Sequence, residues 1–144
     1  MNKQQGFSLI ELVVVTAIIA ITASIGVPRY NQYVIDVHRN DATSELLNLM
    51  QRQEDFYAND FTYTELLVDI NADNSDVYGY PSPATNAFTL PSERYYIEVA
   101  ACGNGIKTCV ELTATAINGQ LGDGNFTLTS QNERTFNGSN GWPK

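Results

Sequence analysis

The sequence predicts an α+β chain: one long N-terminal helix, then a three- or four-stranded antiparallel sheet laid over the helix's second half. Three observations predict it. A nearly uncharged apolar run covers residues 7–27, a stretch with three- and four-residue apolar spacing follows, and later segments alternate apolar with polar residues between turn signals. Beyond the first run roughly a hundred residues remain, enough for one small domain with a modest core. A second, catalytic domain has no room.

From Phe7 to Val27 there are 21 residues whose only ionisable side chain is Glu11. As a helix this run is about 32 Å long, close to the thickness of a bilayer's hydrocarbon core. A spanning helix is therefore expected. Lys3 precedes the run, which puts the short N-terminus in the cytoplasm and the remainder outside. That orientation places Cys102 and Cys109 where disulfides persist. A secretory signal peptide would end in a small-residue cleavage site, and "TASIGVPRY" fits that poorly because the helical pattern continues through it.

Pro28 removes the N–H that would bond the carbonyl of Ser24 and crowds that turn, so a kink is expected there, with Gly26 adding freedom. Past it, Val34, Val37, Ala42, Leu46, Leu49, Met50, Phe56 and Tyr57 recur at helical steps as one buried stripe. Tyr30 and Tyr33 lie at helical positions that packing explains, as does Tyr57. His38, the chain's single histidine, reads as a solvated helix residue rather than a metal ligand or acid–base group.

After Asp60 polar turn chemistry takes over, and "TELLVDINADNSDVYGYPSPATNAF" reads as the loop between helix and sheet. Asp69, Asn71 and Asp73 have the alternate oxygen spacing of a calcium loop. Asn74, however, stands in place of the turn glycine and Tyr80 in place of the bidentate Glu, which favours a solvated acidic loop. "RYYIEVAAC" and "CVELTATAI" read as neighbouring antiparallel strands, "GNFTLTSQ" as a third after the turn "NGQLGDG", and "AFTL" as a short edge. Tyr95 and Tyr96 point to opposite faces, so at most one is core. Cys102 and Cys109 flank a loop-sized gap, and a disulfide closing that hairpin is expected. A redox pair, free thiols or metal ligands are the alternatives, and the six-residue gap with no following helix start argues against the first.

The charge balance excludes some partners. Eight Lys and Arg against 16 Asp and Glu give −8, and Arg29, Arg39, Arg52, Arg94, Lys107 and Arg134 are scattered. That argues against nucleic acid and anionic lipid as partners. One histidine, no phosphate-cradling glycine loop and no paired acids argue against an enzyme, and no cofactor is expected. "NFT" and "NGS" match the acceptor pattern for Asn-linked sugars, a short match that is common by chance.

The N-terminal residues "GFSLIELVVVTAIIAITASIGVPRYNQY" resemble the prepilin signature of type IV pilins and related filament subunits. The match includes Gly6 before a scissile bond, Phe7 after it, Glu11 five residues into the mature chain, and Pro28. Ala20 stands where the family often has glycine. The resemblance implies the pilin fold, with a leader at 1–6, a transmembrane and filament-core helix at 7–29, and a periplasmic or extracellular head at 30–144. It also implies cleavage by a prepilin peptidase, N-methylation of Phe7, and an inner-membrane pilus assembly platform that feeds the filament. The subunit would rest in the inner membrane, N-terminus cytoplasmic, and end in an extracellular pilus among other pilin subunits.

Glu11 then gains a physical role. An unpaired acid at membrane depth costs roughly 2.5–3.5 kcal/mol, and the amine freed by cleavage on a neighbouring subunit, about 6 Å along the axis, can neutralise it. Snorkelling of Glu11 to the headgroups is the alternative.

The later segments "RQEDFYANDFTYT", "YYIEVAA", "LTATAINGQLGDGNFTLTSQNERTFNG" and "GW" resemble the PilE-like pilins of Gram-negative bacteria, and lean toward a minor pilin. That branch commonly has cysteines near the positions of Asn125 and Gly141, which this chain lacks. A type II secretion pseudopilin, or an adhesin or DNA receptor displayed on the pilus, are the competing expectations.

Overall fold

The computed structural model describes residues 7–67 and 87–143, apart from the side chain of Phe88. Helix α1 runs from Leu9 to Asp60, 52 residues, and continues through Pro28. Six strands follow: β1 (Ala87–Thr89), β2 (Tyr95–Ala101), β3 (Val110–Ala116), β4 (Phe126–Thr129), β5 (Arg134–Phe136) and β6 (Ser139–Asn140). They form one antiparallel sheet in simple sequential order.

The α+β expectation holds, with six strands where three or four were expected. β1 is the expected short edge. The added pair is the β5–β6 hairpin, turned by Asn137 and Gly138 at φ 49° and 76°. Two successive positive φ values are what an Asn-Gly turn supplies between antiparallel strands.

The chain divides into two compact units at Asp36 and Val37. In the first, every residue from Phe7 to Tyr33 is exposed. Its buried-stripe logic is absent because nothing covers an all-round apolar helix except lipid or other helices. Three of its hydroxyls are satisfied internally: Thr16 donates to the Val13 carbonyl at 2.9 Å, Thr22 to Ile18 and Ile19 at 3.0 Å, and Ser24 to Ile21 at 2.7 Å. Such back-bonding removes most of the polar cost of a Thr or Ser in hydrocarbon.

The second unit carries the core. Ala42, Leu46, Leu49 and Met50 of α1 pack against Tyr95, Ile97, Val99, Val110, Leu112, Ala114, Phe126 and Leu128, all on one sheet face. Burying each Leu or Ile contributes about 1.5–3 kcal/mol relative to leaving it in water. The alternation of β2 and β3 decides which tyrosine enters: Tyr95 is fully buried and Tyr96 half-buried.

Three expectations on the helix need correction. Val37 is exposed and Val34 half-buried, and the stripe instead includes Gln53, fully buried. Tyr30 and Tyr33 are not packed; they are 67% and 66% exposed. His38 is half-buried rather than solvated, its Nδ1 3.8 Å from the Asp41 carboxylate.

Candidate functional site

Two regions carry the functional argument: the exposed apolar helix and the surface of the head. In the first, Phe7 is exposed immediately before the helix, and Ser8 accepts the amides of Glu11 and Leu12 through its carbonyl at 3.1 and 3.2 Å. Glu11 thus lies in the first turn of α1, at the positive end of the helix dipole. The spacing Ser8-x-x-Glu11 is that of a capping box, so an acid is favoured there even without a partner chain. Pro28 lies within α1, and Gly26 beside it has no neighbour crowding its Cα. Gly6 lies outside the described residues, as do Asp69, Asn71 and Asp73 of the calcium pattern. Among the described residues no three metal-ligating side chains converge.

In the head, Cys102 and Cys109 form a disulfide with Cα atoms 5.0 Å apart, closing the β2–β3 turn as expected. The loop it closes is sewn to the chain that follows α1: Tyr63 donates its amide to the Ile106 carbonyl at 3.2 Å, and Glu65 accepts the Ala101 amide at 3.2 Å. Gln53 anchors the same segment. Its Nε2 donates to the Thr64 carbonyl at 2.7 Å and its Oε1 accepts the Thr64 amide at 3.1 Å, so a side-chain amide pairs as a strand backbone would. Tyr57 stacks on Tyr63, ring centroids 4.6 Å apart.

The opposite end of the sheet is organised by Asp123, in the loop between β3 and β4. Arg39 of α1 chelates its carboxylate, Nε lying 2.9 and 2.8 Å from the two oxygens, with Nη2 making a further ion pair. Tyr95 donates its hydroxyl to Asp123 at 2.6 Å and Gln120 its amide at 3.0 Å. Burial works to raise the Asp123 pKa, but these donated hydrogen bonds outweigh it, and the carboxyl is held below its ordinary value. Burial first, then the hydrogen bond to Asp123, pushes the Tyr95 phenol well above its ordinary value.

The start of β4 and the turn between β5 and β6 are tied together close by. The Asn137 amide donates to the Asn125 carbonyl at 2.9 Å, and the Asn125 amide to Asn137 Oδ1 at 2.9 Å. Gly124, at φ 129°, passes so close that an added Cβ would fall 2.2 Å from the Asn137 amide nitrogen. Trp142 closes the C-terminal segment: its edge meets Phe126, its Nε1 donates to the Thr127 carbonyl at 3.1 Å, and the Arg134 guanidinium lies 5.0 Å above its ring. Asn125 and Asn137, the residues of the two sugar-acceptor matches, both use their side chains in this framework.

The sequence reasoning missed Arg39, Asp123, Gln120 and Gln53. Only the turn chemistry of "NGQLGDG" pointed toward Asp123, and nothing in the order of residues links it to Arg39.

The comparisons with known proteins match these two regions separately. Residues 1–27 match the prokaryotic N-terminal methylation motif. Residues 28–129 match the family described as type IV minor pilin ComP, DNA uptake sequence receptor. Prepilin peptidase-dependent protein D of Escherichia coli is 59% identical over 34 residues, 24% of this chain and 23% of that protein. A fimbrial protein of Pseudomonas aeruginosa is 43% identical over 54 residues, 38% and 35% of the two chains. The type IV major pilin PilA of Myxococcus xanthus is 30% identical over 80 residues, 54% and 36%. The chain thus spans only about a quarter to a third of the length of these relatives. With the head family matched over more than half its length, the chain belongs to the type IV minor pilins of the ComP family.

Proposed function

We propose that this chain is a minor subunit of a type IV pilus, made as an inner-membrane precursor, cut between Gly6 and Phe7 by a prepilin peptidase and drawn by a membrane assembly platform into the filament. The observation that carries this reading is the exposed apolar stretch of α1 with a single acid in its first turn, joined to a head that has its own buried core. Such a helix is stable in lipid or among other helices and not in water. Family membership supports a structural role with other pilins as partners and no reaction to catalyse. In the filament the methylated Phe7 amine of one subunit neutralises Glu11 of another, and Pro28 loosens the helix where it leaves the lipid.

The test is Glu11→Gln, which keeps first-turn hydrogen bonding and removes the charge. Normal levels of this variant in sheared filaments would refute the charge pairing. An intact Met1–Gly6 leader on subunits from a cell with an active prepilin peptidase would refute the processing.

A second reading, DNA reception at the pilus surface, is favoured by the description of the family that matches the head. The net charge of −8 opposes it, so contact must rest on few cations. Among the described head residues Lys107 and Arg134 are the exposed ones, both at the disulfide end of the sheet. With one or two phosphates neutralised, the salt slope of duplex binding is about −1 to −2. Filaments that retain no duplex at low salt exclude this reading and leave the filament role intact.

A further inference from the structure

We propose that Tyr30 and Tyr33, together with Arg29, anchor α1 in the lipid headgroup layer at the outer end of its span. This rests on the membrane reading above and adds a lipid-binding site to it. The two phenols are three residues apart, on one helix face, and both are about two-thirds exposed although the sequence pattern had assigned them to packing. A tyrosine ring is apolar along its body and polar at its tip, the combination that settles at a membrane–water boundary.

Position along the helix selects the headgroup layer. The run from Phe7 to Val27 spans about 32 Å, against about 30 Å for the hydrocarbon. Tyr30 and Tyr33 follow its end by roughly 4.5 and 9 Å of helical rise. Helical side chains lean toward the N-terminus, which brings both rings back toward the boundary.

Charge selects the lipid as occupant. Arg29 is the only cation among the described residues of the first unit, it is exposed, and it directly precedes Tyr30. A guanidinium beside two phenol hydroxyls offers donors to a phospholipid phosphate while the ring bodies rest on the upper acyl chains. Glu11 marks the other end of the same span, so the helix carries a depth marker at each end.

The full chain in phosphatidylethanolamine/phosphatidylglycerol vesicles tests this, with single substitutions Tyr30→Trp, Tyr33→Trp and Ile18→Trp, the signal of native Trp142 being subtracted. Lipids brominated near the headgroup should quench the first two roughly twofold more than lipids brominated deep in the chain, and Ile18→Trp the reverse. In a Tyr30→Ala/Tyr33→Ala background the Ile18→Trp quenching profile should shift in depth. Unquenched, water-like emission at 30 and 33 with deep quenching at 18 overturns the anchor and leaves the spanning helix standing. An unshifted profile in the double-alanine background also overturns it. No quenching at any of the three positions overturns the membrane reading itself. Residues 30 and 33 unquenched in vesicles but shielded in sheared filaments are subunit contacts, and the lipid assignment fails.

Discussion

Arg39 and Asp123, 84 residues apart in sequence, meet as a chelated ion pair that joins α1 to the loop between β3 and β4. The carboxylate is nearly buried and the guanidinium a quarter exposed. Asp123→Ala leaves Arg39, Tyr95 and Gln120 without their shared acceptor. A fully buried pair broken on one side costs about 3–5 kcal/mol, and the partial exposure of Arg39 reduces this to about 2–3 kcal/mol. Urea denaturation of the chain in detergent micelles measures the loss. A change within about 0.5 kcal/mol, typical of surface substitutions, would show that the latch is ornamental.

The same cluster gives a pH dependence with a definite sign. The Asp123 carboxyl is held below its ordinary value, so its stabilisation is present above the unfolded-state pKa of about 3.9 and is lost as pH falls through the lower folded value. Tyr95 is displaced upward, so its contribution is present below about pH 10 and lost as pH rises through the higher folded value. The difference in melting temperature between the parent chain and Asp123→Asn should be level near neutrality and shrink in acid. The difference against Tyr95→Phe should shrink in strong alkali, and in acid as well, because protonating Asp123 weakens the bond that the Tyr95 hydroxyl donates to it. A difference against Asp123→Asn that stays constant from neutrality into strong acid contradicts this assignment.

Periodicity made α1 and strands β1 to β4 legible, because burying one helix stripe and one sheet face leaves a pattern in the order of residues. It did not reveal where the exposed stretch of α1 ends and packing against the sheet begins. Tyr30 and Tyr33 have the same helical spacing whether or not other residues of the chain cover them, and only their exposure separates the cases. Gln53 was invisible for the opposite reason: it occupies a core position in register with Leu49 and Met50, but its polarity disguised it until its two bonds to Thr64 were seen. β5 and β6 are short and mostly exposed, so they lack alternation, and the Asn137-Gly138 turn signal between them went unread. Of the candidate sites, the signature residues could be proposed because they lie within one local stretch, residues 6–28. The Arg39–Asp123 latch was not, since tertiary proximity leaves no local trace.

Gln53→Met keeps the volume and removes both hydrogen bonds to Thr64. Each lost bond to a buried backbone group costs about 1–3 kcal/mol, so a total of about 2–6 kcal/mol is expected. Amide hydrogen exchange at Thr64 should accelerate together with this loss. Unchanged exchange would mean that the segment after α1 is held by other contacts.

Reduction of Cys102–Cys109, or its replacement by two serines, should lower stability by about 2.5 kcal/mol, the chain-entropy value for so short a loop. The core should survive, because β2 and β3 remain paired along their whole length. Near-ultraviolet circular dichroism before and after reduction checks this, since Tyr63 and Tyr95 report the two ends of the sheet. Complete unfolding on reduction would assign the bridge a larger share than its loop length allows.

The C-terminal segment is held by non-covalent contacts, and Trp142 concentrates them. Trp142→Phe removes the hydrogen bond to Thr127 and keeps a ring for Phe126 and Arg134, whereas Trp142→Ala removes all three contacts. The first should cost about 1 kcal/mol. The second should cost about 2–3 kcal/mol, less than a fully buried tryptophan because this one is half-buried. Limited proteolysis gives the sharper readout: Trp142→Ala should expose the chain after Phe136 to cleavage while β2 and β3 stay protected. Equal protection in all three proteins would mean that the Asn125–Asn137 bonds suffice to hold the segment. A protected parent and phenylalanine variant with a clipped alanine variant would identify the ring, rather than its N–H, as the fastening.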